Sequence, residues 1–216
     1  MHAISPTEAL ARDLTPATII DEADLVGSPT RRHTALHVTH RQLNVLEGRR
    51  ARIAGHLLED GDPGMPDLMV VLQRKAGRRW LTVARSHTRG GGRFALNYVA
   101  HTPTSEVVRL RFPGDALADS STRPVGRLNV YRAVNASWYG GGGSLACGGE
   151  LTSSTLGVAN RTLPCGTLVA LRYGGHSVTV PVVDRGPFVA GREFDLTEAT
   201  KRALGFEGTG VVWSTR

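Results

Sequence analysis

The stretch Pro181-Val-Val-Asp184-Arg185-Gly186-Pro187-Phe188-Val-Ala190 decides how this chain is read. Just before and within it, Val178, Val180 and Val182 recur at every second position, the period of a half-buried strand. The strand ends at a carboxylate, Asp184. Arg185 is expected to hold that carboxylate, Gly186 supplies a tight turn, and Pro187 has no N–H with which to continue a ladder. An acid shown where a buried strand leaves its sheet is placed to exchange a proton with a bound molecule. Eleven residues on stands a second acid, Asp195, ahead of a short helix expected over Thr197–Leu204. Thr197 is its candidate cap and Gly205 its C-terminal stop.

Working outward, strands are expected near Asn135–Tyr139, Leu168–Tyr173, Ser177–Val183 and Gly210–Ser214, with Tyr173-Gly-Gly-His176 as a hairpin turn. The N-terminal half reads as strands too. Arg49–Leu58 alternates, with Ala51, Ile53, Gly55 and Leu57 on one face and Arg50, Arg52, Ala54 and His56 on the other. Leu68–Arg74, Trp80–Arg85, Arg93–Tyr98 and Val107–Phe112 follow, separated by turns rich in Gly, Pro and Asp. That spacing predicts an all-β sandwich. The chain therefore divides into a poorly ordered lead (1–34), a sandwich (35–115), a small polar linker (116–127) and a second domain (128–216).

With 216 residues the chain suits two small domains. Its net charge of +7 is uneven: residues 1–132 hold 19 Lys and Arg against 13 Asp and Glu, and residues 133–216 hold 7 against 6. A basic half suits a polyanion such as an anionic wall polymer, and solvated strand faces are the plainer explanation. No nucleic-acid motif accompanies the charge, so no nucleic-acid partner is expected. The longest apolar runs, such as Leu68–Leu72, are strand length, and no transmembrane segment is expected. The first twenty residues lack a basic start followed by an apolar stretch, so no export leader is expected within them. Cys147 and Cys165 lie 18 positions apart without a C-x-x-C or a histidine partner, too few soft ligands for zinc. A disulfide is expected, which fits an oxidising compartment; two unpaired buried thiols are the alternative.

Four motifs in order carry a resemblance over Ala136 to Ser214: Ala136-Ser-Trp-Tyr-Gly140, Cys147-Gly-Gly-Glu150, Gly157-Val-Ala-Asn-Arg-Thr-Leu-Pro-Cys-Gly-Thr167, and Asp184-Arg-Gly-Pro-Phe188 with Gly191-Arg-Glu-Phe-Asp-Leu196. They resemble the rare lipoprotein A (RlpA) family, related to expansins and lytic transglycosylases. The resemblance implies a mainly β fold, a six-stranded double-psi β-barrel with one or two short helices, preceded by the sandwich. The sandwich in turn resembles immunoglobulin-like or carboxypeptidase-regulatory-like modules by pattern alone.

The implied activity is cleavage of the β-1,4 bond between N-acetylmuramic acid and N-acetylglucosamine without water, leaving a 1,6-anhydro product. Because no water is activated, one acid/base can suffice where hydrolases use two carboxylates. Asp184 is the candidate catalytic acid and Glu150 a candidate second acid. Tyr139, Trp138, Asn160, Arg185 and Asp195 are candidate substrate-binding residues; Asp195 also reads as an ordinary helix-start acid. Where the family carries histidine this chain has Asn160, which cannot exchange a proton near neutral pH. Three readings follow: an exported lytic transglycosylase acting on peptidoglycan glycan strands, a non-catalytic expansin-like wall-binding protein, and a secreted inhibitor of the plant-defence type. All are secreted or wall-associated. No metal or organic cofactor is implied, and a monomer is expected.

Overall fold

A computed structural model of the chain describes residues 31–64 and 66–216. Most of the expected N-terminal lead lies outside the described residues. The strands are β1 (Thr34–Gln42), β2 (Asn44–Leu46), β3 (Arg50–Glu59), β4 (Asp62–Pro63), β5 (Met69–Ala76), β6 (Arg79–His87), β7 (Arg93–Val99), β8 (Thr104–Phe112) and β9 (Ser121–Tyr139). They continue with β10 (Val158–Ala159), β11 (Leu168–Tyr173), β12 (His176–Asp184), β13 (Phe194–Thr197) and β14 (Gly210–Ser214), with helix α1 (Glu198–Leu204) between the last two.

The N-terminal half is a two-layer sandwich. In one sheet β3 lies between β1 and β7, with the short β4 on its end. The other runs β6-β5-β8-β9, with β2 alongside β9. The two inner faces share one core: Leu36, Ile53, Leu57 and Leu96 from the first sheet meet Leu72, Val108, Leu110 and Leu128 from the second. Strand β3 alternates as its sequence predicts, with Ala51, Ile53, Gly55 and Leu57 inward and the arginines outward.

The linker expected at 116–127 is corrected by β9. Residues 121–127 are its first third, hydrogen-bonded antiparallel to β8. Pro124 and Gly126 look like breakers, but the ladder shifts register there, pairing Arg109 with Pro124 and Val108 with Gly126, so Val125 is the bulged residue. A bulge is where a sheet tolerates proline. Strand β9 then runs through 19 residues into the second half, well beyond the expected Asn135–Tyr139.

There it joins a closed ring. Around the ring the order is β9-β13-β10-β12-β11-β14 and back to β9, six strands with no free edge. The pairs β10/β12 and β13/β9 are parallel and the others antiparallel. Val134, Val158, Leu171, Val180, Val182, Phe194 and Leu196 fill the interior. The hairpin Tyr173–His176 forms as expected, with Gly174 and Gly175 both at positive φ (53° and 92°). Helix α1 also forms as expected. The Thr197 hydroxyl accepts from the Thr200 N–H, and Gly205 closes the helix at φ 63°. Among the described residues no helix is long and apolar enough to cross a membrane.

Candidate active site

The site lies where β12 leaves the barrel. By period 2, Asp184 would follow Val180 and Val182 into the core. A register shift prevents this. Val158 pairs with Val182 and the next residue, Ala159, pairs with Asp184, so Val183 is the extra residue. Such a bulge re-aims the side chain that follows it. Ala159 also pairs with Asp195, and Asp195 with Ser137. Asp184, Ala159, Asp195 and Ser137 thus form one row across β12, β10, β13 and β9, two strand spacings (about 9.5 Å) separating the two acids. Asp184, Asp195 and Tyr139 open into one cavity of about 170 Å³, walled by Arg185, Arg192 and the turn Gly186–Val189.

The Asp184 carboxylate is oriented by backbone. Its Oδ1 accepts from the Ala146 N–H (2.9 Å) and the Arg185 N–H (2.8 Å). The guanidinium of Arg185 does something else. It donates to the carbonyls of Asn160 (3.1 Å) and Leu163 (3.0 Å) and approaches Cys165 Sγ at 3.1 Å. No ion pair joins Arg185 to Asp184 among the described residues, which corrects the expectation that this arginine holds the acid. Arg185 instead holds the 160–165 loop against the end of β12.

Cys147 and Cys165 form the expected disulfide. It ties together two loops that both bond to the exit of β12: Cys147 N–H donates to Val183 O, and Gly166 N–H to Val182 O. The crosslink therefore sits one residue from the Ala146 N–H that orients Asp184.

Asp195 and Tyr139 share an electrostatic setting. Burial raises the Asp195 carboxyl above the usual aspartate value, and the charge of Asp184 adds to this; Ser137 and Arg192 pull the other way. Burial likewise raises the Tyr139 phenol, reinforced by Asp184 and then Asp195, so it stays a protonated donor. Asp195 Oδ1, Ser137 Oγ and Tyr139 Oη are buried without a partner at full hydrogen-bonding geometry among the described residues, although Ser137 lies near enough to Asp195, and Tyr139 to Asp184, for each pair to interact. Two of these residues, Asp195 and Tyr139, line the cavity, and incompletely partnered polar groups there are suited to a hydroxyl-rich ligand.

The remaining expected residues fall elsewhere. Glu150 is exposed and accepts from the Ser144 hydroxyl (2.8 Å) across a glycine-rich loop; it does not line the cavity. Asn160 is 5 % exposed and fully engaged. Its amide donates to Glu193 O, and its carbonyl oxygen accepts from the Thr162 and Leu163 N–H groups. That is a turn-forming asparagine rather than a substrate ligand. Trp138 points to the opposite face from Tyr139, and Lys201 Nζ lies 4.1 Å from its ring centre. Asp195 lies within β13, two residues ahead of the α1 cap, and faces the cavity.

The sequence reading passed over Phe188 and Arg192. Phe188 is 82 % exposed on the rim. An aromatic directly after Gly186-Pro187, in a turn that cannot bury it, was the available signal.

Known proteins resemble this chain over its barrel half. The family model described as "Lytic transglycolase" matches residues 131–213. The chain is similar to the probable endolytic peptidoglycan transglycosylase RlpA of Synechocystis sp., 44 % identical over 101 residues, covering 40 % of this chain and 32 % of that protein. It is similar to the protein of the same description from Aquifex aeolicus, 43 % identical over 82 residues and covering 36 % of each. The endolytic peptidoglycan transglycosylase RlpA of Neisseria meningitidis is 41 % identical over 82 residues, covering 36 % of this chain and 34 % of that one. The matched stretch thus spans about a third of these relatives' length. Among solved structures, the Streptomyces papain inhibitor is 25 % identical and covers 38 % of this chain and 91 % of its own, at a TM-score of 0.32.

Proposed function

We propose, starting from a C-terminal half that belongs to the RlpA-like double-psi β-barrel family, that this chain is an exported lytic transglycosylase acting on peptidoglycan glycan strands. One observation carries the reading: Asp184 and Asp195 open, with Tyr139, into a single cavity within the stretch matched by the family model. Asp184 acts as the acid/base. It gives a proton to the glycosidic oxygen as the C–O bond breaks, and takes one from the muramic 6-hydroxyl as that oxygen bonds to the anomeric carbon. The proton balance closes without water. Asp195 and the Tyr139 hydroxyl bind sugar hydroxyls, and Phe188 offers a ring face at the rim.

The disulfide supports an oxidising, extracytoplasmic location, secreted or wall-associated. The strand order of the sandwich, β1-β3-β7 against β6-β5-β8-β9, supports an immunoglobulin-like reading of that half. A non-catalytic, wall-binding role draws on one observation: Asn160 is committed to its turn and has no titratable proton to transfer.

Digestion of purified sacculi, read by mass spectrometry, separates the two roles. The wild type is expected to release anhydro-muropeptides, and Asp184→Asn to lower that release at least a hundredfold with the fold intact. Product from Asp184→Asn at the wild-type rate sinks the assignment of Asp184. Sedimentation with walls but no product from the wild type leaves the binding role.

A further inference from the structure

The outer face of β3 and β7 carries a second site, outside the barrel. Cross-strand neighbours Ala54 and Ala95 form a floor of small side chains. One ladder step away stand Arg52 and Asn97, with Arg50 beyond them; one step the other way stand His56 and Arg93. The end of β6 and Arg89 in the following turn close the third side. The result is a trough of about 490 Å³ whose walls are cationic.

Charge accounting makes the trough unusual. Residues 31–132 hold 18 Arg and Lys against only 8 Asp and Glu. Several of those acids are already matched, Asp119 by Arg31, Glu59 by Arg32 and Glu106 by Arg74. Arg50, Arg52, Arg89 and Arg93 are all exposed, and none belongs to an ion pair among the described residues. Arg93 Nε donates only to the carbonyl of Gly90. Four like charges held together without an acid repel one another, and a polyanion relieves that repulsion.

We propose that this trough binds a phosphodiester-linked wall polymer through its phosphate groups. Guanidinium groups reach the cleft from two strands and a turn, so the non-bridging oxygens of successive phosphodiesters along one polymer can each meet a forked donor. Nucleic acid fits less well. The lining presents no exposed Phe, Tyr or Trp for a base to stack on, and the disulfide fits an oxidising compartment. The identity of the polymer rests on the wall-directed function proposed above; the phosphate chemistry of the trough does not.

Isothermal titration of the full chain with synthetic poly(glycerol phosphate) decamer tests this, with a thymidine decanucleotide and poly-γ-glutamate of equal charge as rivals. Binding of the polyol phosphate is expected to be the tightest of the three. The triple variant R50Q/R52Q/R93Q should weaken it at least tenfold and flatten the dependence of log Kd on log salt by about 2. Removing the same charge at the β5–β6 hairpin tip (K75Q/R78Q/R79Q) should change affinity less than threefold. Unchanged affinity in the trough variant, equal loss in the hairpin variant, or tighter binding of either rival polymer overturns the proposal. Digestion of sacculi stripped of phosphate polymer should proceed at the wild-type rate in the trough variant, so failure of the barrel's chemistry and failure of the trough read out separately.

Discussion

At the scale of single residues, the proposed site holds buried polar atoms that lack full hydrogen-bonding partners. Asp195 is the clearest case, a half-buried acid with one oxygen short of a full hydrogen-bonding partner and its carboxyl raised, chiefly by burial. A raised carboxyl binds its proton more tightly folded than unfolded. Its contribution to stability is full below the unfolded value and is lost as pH climbs through the folded one. In its ionised form Asp195 therefore opposes folding. Asp195→Asn should raise the melting midpoint at pH 7 by about 2 °C, and the gain should vanish near pH 3. Thermal melts at the two pH values check this; a lower midpoint at pH 7 would mean that the charged form is stabilised by contacts the geometry does not reveal. The same substitution should slow glycan cleavage, which is the trade expected where a site keeps groups ready for a ligand.

At the scale of elements, two loops and a bulge set the acid in place. The loop carrying Ala146 and the loop carrying Cys165 share the disulfide, and both bond to the last residues of β12. In the chain-entropy picture, closing 18 residues stabilises the fold by about 3 kcal/mol. Reduction should lower the melting midpoint by about 10 °C. It should also depress glycan cleavage at temperatures well below that midpoint, because the Ala146 N–H no longer orients Asp184. Activity that survives reduction below the new midpoint would show that the loop keeps its place without the crosslink. The bulge at Val183 is harder to read from sequence. Period 2 along Val178, Val180 and Val182 sends Asp184 inward, and only pairing with β10, a strand two residues long, reveals the shift. Helix α1, the hairpin at Gly174–Gly175 and β11 were all legible, since cap residues, turn glycines and alternation act locally.

At the scale of the whole molecule, β9 is the structural link. Its first ten residues close the sandwich and its last eight belong to the barrel, with no loop between. Arg132, just past the changeover, is paired with Glu193 at the start of the barrel's acidic strand, and Tyr131 packs at 6.0 Å against Trp213. A rigid strand transmits the position of one half to the other, so a polymer held in the arginine trough would fix where the cavity meets a glycan. Calorimetry should therefore show one cooperative transition for the intact chain. A four-residue Gly-Ser insertion after Tyr131 should split it in two and enlarge the radius of gyration by solution scattering. Two transitions in the uninserted chain would show that the halves melt independently.

What the sequence determined by itself was local or sequential: strand faces, caps, turns, the disulfide, and four ordered motifs that pointed to the barrel. Those signals depend on residues near one another along the chain. Tertiary structure decided the rest. It turned Arg185 away from Asp184 and onto loop carbonyls, consumed Asn160 in a turn, set Glu150 outside the cavity and Trp138 on the far face. It also converted an apparent linker into a strand and brought Asp195 into one row, and one cavity, with Asp184. Each of these depends on which strands become neighbours when the ring closes, and a hydrogen-bonded register between distant segments leaves little trace in composition or period.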